Sequence, residues 1–138
     1  MTIKLASLRA DLKREEKGDW VAFPDWPGAE FNVSSSNKAD FMAARSSEIQ
    51  RLSMIHKNQI PPNVMTATIG RLLNEHLLHG WRGLDEKYTP AKASEIMSDP
   101  SYRPVINAVL WCANEVGSIN VQFVEGDVKN SEKPSADG

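Results

Sequence analysis

Cysteine is nearly missing from this chain: Cys112 stands alone, which excludes an internal disulfide and any fold stapled by several. No apolar run approaches the ~20 residues needed to cross a bilayer, so no membrane partner is expected. The stretch MTIKLASLRADLKREEKGDW lacks the apolar segment and small-residue cleavage site of a secretory signal. With a lone thiol, that leads to the expectation of a cytoplasmic setting. Charge of one sign is lacking too. Sixteen Lys and Arg against eighteen Asp and Glu leave a formal charge of −2, so no global field draws the chain to phosphate backbones and no nucleic-acid partner is expected.

What remains is material for one core. With 138 residues, 41% of them hydrophobic and 25% charged, the chain has the size and balance of a single globular domain. The patterning predicts a mainly α protein with a small N-terminal β-hairpin, a compact single-domain bundle over 18–127. A charged arm or short helix (1–17) precedes it and a solvated tail (128–138) follows. Ser7 to Lys17 reads as a marginal helix capped by Ser7 and stopped at Gly18. Trp20, Val21 and Phe23, a PDWPG turn, then Phe31 and Val33 alternating with polar residues read as a hairpin over about 19–34.

From Lys38 the period changes. Phe41, Met42, Ile49, Leu52 and Ile55 share a side of a helix over 38–57, with Ser34 to Asn37 as its cap and Arg45, Glu48 and Arg51 largely opposite. Asn58 to Pro62 ends it. Asn63 is expected to cap a second helix over 63–80 with Met65, Ile69, Leu72, His76 and Leu77 on one face, packed antiparallel to the first. Gly70 inside that helix costs ~1 kcal/mol relative to alanine and points to a close neighbour. Thr89-Pro90 starts a short helix over 90–98, because the threonine hydroxyl accepts a free N–H and proline sits where its missing donor does no harm. Asp99-Pro100 ends it and caps another turn. The final helix, 104–117, with Val105, Ile106, Val109, Leu110, Ala113 and Val116, should be the most buried. Ile119, Val121 and Phe123 read as an edge strand or extended arm.

Chemistry is harder to find. EHLLH, Glu75 to His79, superficially resembles a zinc-hydrolase helix, but its histidines are three apart and the glutamate precedes both, whereas the zincin motif needs four and an adjacent glutamate. A histidine pair at a helix end, with His79 favoured by the macrodipole, is the better account. Cys112 reads as a structural thiol. The carboxylates Asp11, Glu15, Glu16, Asp85, Glu86 and Glu115 lie among lysines and arginines on solvated faces. Neither a catalytic residue, nor a metal site, nor a cofactor is expected. Among the four tryptophans, Trp111 reads as core, while Trp20, Trp26 and Trp81 are clamps for small elements or anchors for a partner.

Several short motifs occur in a telling order: G-D-W-V at Gly18 to Val21 after a charged arm, W-R-G-L at Trp81 to Leu84, Y-T-P at Tyr88 to Pro90, D-P-S-Y-R at Asp99 to Arg103, then an apolar helix. In that order, over roughly residues 10 to 118, the chain resembles the tail assembly chaperones of long-tailed bacteriophages and prophages. The bulky PDWPG turn departs from the family pattern. The resemblance implies a structural motif in which Trp81, Leu84 and Tyr88 belong to a helix junction, Gly83 permits its turn, Thr89 caps the next helix and Asp99-Pro100 breaks the chain. His76 and His79 are then bystanders.

It also implies a non-enzymatic function: holding the tape measure protein and promoting assembly of the tail tube protein around it. The setting would be the host bacterial cytoplasm, with absence from the mature virion and room for a homo-oligomer. The alternatives are a structural virion component, such as a tail completion or connector protein, and a metal-dependent hydrolase built on Glu75, His76 and His79. The 38–56 helix carries more apolar surface than one stripe needs, and methionine suits surfaces that accept several shapes. The predicted client surface is therefore Trp26 with Met42 and Met54.

Overall fold

The computed structural model describes residues 1–124; the tail over 128–138 and the end of the 18–127 boundary lie outside them. The chain divides into two compact units, Leu12–Gly117 and a smaller one made by Met1–Asp11 and the segment from Ser118.

The larger unit is mainly helical with a small antiparallel sheet. Helix α1 (Leu12–Lys17) is followed by strands β1 (Asp19–Ala22) and β2 (Glu30–Val33), then α2 (Ala39–Ile55), α3 (Pro62–His76), strand β3 (Leu78–Arg82), α4 (Pro90–Met97), a 3-10 turn (Pro100–Tyr102) and α5 (Arg103–Val116). The expected hairpin is present, with Trp20 opposite Asn32 and Val21 opposite Phe31. In the smaller unit, Ile3 bridges Phe123 in antiparallel fashion. The Lys4 amide donates to the Gln122 carbonyl at 2.8 Å and the Val124 amide to that of Thr2 at 2.8 Å. The 119–123 segment is thus the extended arm its alternation predicts, and the N-terminal residues supply its pairing.

Several boundaries differ from those read in the sequence. The 63–80 helix stops at His76, and Leu78–Arg82 becomes a strand on β2, giving sheet order β1-β2-β3 with Phe31 opposite Trp81. The reason is tertiary. The second edge of β2 carries Phe31 and Val33, both fully buried, and a strand placed there pairs backbone groups while bringing Leu78 and Trp81 onto the same core. Asn63 does not cap α3; Pro61 occupies that position and Pro62 begins the helix, where its lost donor is harmless. Ser7 lies in a 3-10 turn, Leu5–Leu8, and the helix proper begins at Leu12. Nor does a Ser34–Asn37 side chain cap α2, whose flanking residue Lys38 makes no side-chain cap bond. Instead Ser34 and Ser35 are buried.

The core joins β2, β3, α3, α4 and α5 through Phe31, Leu78, Leu73, Met97, Ile106 and Val109. Each fully buried aliphatic or aromatic side chain of this kind contributes roughly 1.5–3 kcal/mol. Gly70 is the close approach its position implies: a methyl there would lie 2.0 Å from the Met97 carbonyl and 2.8 Å from Ile106. Helix α5 has six buried residues. Trp111, expected in the core, instead leaves 38% of its surface exposed and stacks edge-on against Phe23, centroids 5.7 Å apart. At helical spacing it falls off the face formed by Ile106, Val109, Cys112, Ala113 and Val116, so it meets Phe23 of the hairpin segment instead of the core. Among the described residues, no helix is long and apolar enough to cross a membrane.

Candidate partner-binding surface

Helix α2 borders an open groove of about 360 Å³. One wall follows from helical spacing. Met42, Arg45, Ser46 and Ile49 stand at i, i+3, i+4 and i+7, so they line one flank of the helix, while Phe41, 1% exposed, turns toward the core. The other wall is polar and comes from Ser36 and Asn37 before α2 and from Asn114 near the end of α5.

The serine run fixes the two walls relative to each other. The Ser36 hydroxyl donates to Asn114 Oδ1 at 2.6 Å and its amide to the Ala113 carbonyl at 3.2 Å. The Ser35 amide donates to the Glu15 carbonyl at 2.8 Å, and Ser35 Oγ accepts the Asn37 amide at 3.0 Å. Three consecutive small hydroxyl residues ahead of a helix look like a cap in sequence. Here they instead tie α1, α5 and the start of α2 together.

Of the three residues predicted to meet a client, the two methionines do not share one patch. Trp26 is half-buried, its ring edge-on to Phe23 at 4.9 Å. Met42 is 55% exposed on the groove wall, and Met54 is 83% exposed. Twelve residues separate the methionines, which places Met54 about 18 Å along α2 and about 120° around it from Met42. Beside Met54, Ile55 is 58% exposed. Ile49 stands on the side of α2 that its sequence spacing predicts, but Arg45, expected largely opposite, lies on the same flank, because positions 42, 45 and 49 are each one helical turn apart. Asn114 had no signal in the sequence; only the fold brings it to them.

The predicted junction residues hold local structure. Trp81 is buried, donates from Nε1 to the Glu86 carbonyl at 2.8 Å and meets Tyr88 edge-on at 5.1 Å. Gly83 has φ +87, and a Cβ there would fall 1.9 Å from the Gly28 carbonyl oxygen, so both conformation and space demand glycine. Leu84 borders a small recess of about 150 Å³ with Trp81 and Tyr102. Thr89 Oγ1 accepts the Lys92 amide at 3.0 Å. Asp99 Oδ1 accepts the Ser101 amide at 2.9 Å, capping the turn that Pro100 opens.

The histidines are split between elements. His76 ends α3, while His79 sits on β3, not at a helix terminus, and its Nε2 lies 2.7 Å from Ser34 Oγ. Partial burial, then the nearby Lys38 ammonium, push the His79 pKa below its ordinary value. Glu75 is paired with Arg71 at 3.2 Å. Among the described residues no three His, Cys, Asp or Glu side chains are grouped to hold a metal. Burial, with Glu115 second, pushes the Cys112 thiol up to about 12, so it carries almost no thiolate at neutral pH.

Comparison of the chain with protein families, curated proteins and solved structures finds no match.

Proposed function

We propose that this protein is a non-enzymatic tail assembly chaperone of a long-tailed bacteriophage or prophage. It holds the tape measure protein in the host cytoplasm and releases it as tail tube protein polymerises around it. The observation that carries this reading is the apolar surface α2 leaves uncovered: Met42 at the groove, with Met54 and Ile55 at the far end of the helix. Flexible, polarizable methionines suit a client that presents many similar but unequal apolar stripes, and modest burial allows release. Further support comes from the order of W-R-G-L, Y-T-P and D-P-S-Y-R in the sequence, the basis of the family resemblance.

The test is co-expression with a tape measure protein from the same genome. The expected result is a soluble client that co-purifies with this chain, and mature particles free of the chain by mass spectrometry. A client that stays insoluble and unbound would reject the chaperone reading. Stoichiometric retention in particles would replace it with a structural tail component.

A further inference from the structure

The groove beside α2 pairs an apolar seat with a free cation, and that combination says what kind of segment fits it. Phe41, Met42 and Ile49 give a floor and wall for one apolar side chain. Arg45 lies one helical turn from both Met42 and Ile49, on the same flank. Arg14, Arg51, Arg71 and Arg82 each hold a carboxylate; among the described residues Arg45 holds none. Its natural intrahelical partner would be Glu48, three residues on. That carboxylate is already taken by Arg51 at 2.8 Å and by Arg71 of α3 at 2.7 Å. The guanidinium therefore keeps its fork of donors for an incoming acceptor. Across the groove, Asn114 uses Oδ1 to accept from Ser36, which leaves its amide nitrogen as a further donor.

We propose that the groove receives an amphipathic segment of a protein partner carrying an Asp or Glu one turn from an apolar anchor, the anchor seated against Met42 and Ile49 and the carboxylate on Arg45. Apolar burial supplies most of the attraction, and the charge pair fixes direction and register along the groove. This inference rests on the chaperone reading, since it specifies which stretches of the client are held: acidic amphipathic ones, in preference to basic or uncharged apolar stripes.

The experiment uses full-length protein and the tape measure protein as probe. A photo-crosslinking residue at Ser46, on the groove wall, maps the bound segment. Affinity is measured for wild type, Arg45→Ala and Arg45→Glu, with melting temperatures alongside. Arg45 is exposed, so neither variant should disturb the fold. Arg45→Ala is expected to weaken binding about 2–5-fold, as loss of an exposed pair does. Arg45→Glu, which sets like charges together, should weaken it by more than about tenfold. Cross-links should fall on client segments with Asp or Glu within four residues of a Leu, Ile, Met or Phe.

Unchanged affinity in Arg45→Glu, or cross-links to acid-free segments, to nucleic acid or to a second copy of this chain, would overturn the proposal while leaving the chaperone reading intact. A wild-type protein that does not bind the client overturns both.

Discussion

Helices α2 and α5, of 17 and 14 residues, place their apolar side chains in opposite ways. On α5 the apolar residues other than Trp111 fall on one broad face, and Ile106, Ala108, Val109, Cys112, Ala113 and Val116 are all buried. On α2 only Phe41 and Leu52 are buried, and the remaining apolar side chains are spread around the helix. An apolar residue count therefore does not distinguish a structural helix from one available to a partner; angular dispersion does. A helix whose apolar groups point in several directions cannot bury them all against one core. What is left over on α2 is the surface assigned here to a client.

The largest expected effect breaks that comparison at the level of stability. Ile106→Ala, on α5, removes a side chain that is 2% exposed and packed beside Gly70, and should cost about 2–5 kcal/mol. Met54→Ala, on α2, should fall within about 0.5 kcal/mol of wild type. Urea unfolding of the larger unit measures both. Equal losses at the two positions would mean that Met54 is covered in solution.

The next effect sharpens what α3 contributes between them. Gly70→Ala improves helix propensity by ~1 kcal/mol but sets a methyl against the Met97 backbone carbonyl, which cannot rotate away. The clash should win, with a net loss of roughly 1–3 kcal/mol. A stabilised variant would show that α3 and α4 can separate at little cost.

At the end of α2 the sign reverses. Lys57 has φ +54, a left-handed conformation at the position where helices favour glycine, and the Asn58 amide donates to the Ser53 carbonyl at 2.7 Å to close the terminus. Relief of that strain in Lys57→Gly, less the added freedom of the unfolded chain, should stabilise by about 0.5–1 kcal/mol, a rise of a few degrees in melting temperature.

How far the fold is legible in sequence follows from how local each determinant is. The Thr89-Pro90 start, the Asp99-Pro100 turn and the α5 face are fixed by neighbours within one or two turns, and each occurs as its sequence implies. The strand at Leu78–Arg82 was misread because HLLHGW continues a helical period; only the unpaired edge of β2, more than forty residues earlier, turns it into sheet. The groove was legible in part for the same reason. Met42 stands out by type, whereas Arg45 matters because Glu48 is captured from another helix, and Asn114 arrives from α5. Serines 34 to 36 resemble a cap until three separate elements bond to them.

The smallest predicted effect concerns that serine hub and its one titrating partner. Ser34 Oγ lies 2.9 Å from the Glu16 carbonyl and 2.7 Å from His79 Nε2. Its single proton goes to the carbonyl, so the oxygen accepts from His79, which therefore carries its proton on Nε2. Burial first, and the Lys38 ammonium second, disfavour the imidazolium and hold the folded pKa below the ordinary 6.5. The folded protein thus binds fewer protons than the unfolded chain between that lowered value and 6.5. The contribution is fully present above pH 6.5 and is lost as pH falls through the folded pKa. Asp19, depressed by its bond to Arg14, and Asp99, depressed by the Ser101 amide, add their own losses only near and below 3.8, so the two windows separate. Urea midpoints between pH 7.5 and 5 should fall for wild type by more than for His79→Gln, which keeps a side-chain amide donor near Ser34 but does not titrate. Parallel curves for the two proteins would show that His79 is as well solvated in the folded state as in the unfolded one, and that the link from β3 to Ser34 does not hold in solution.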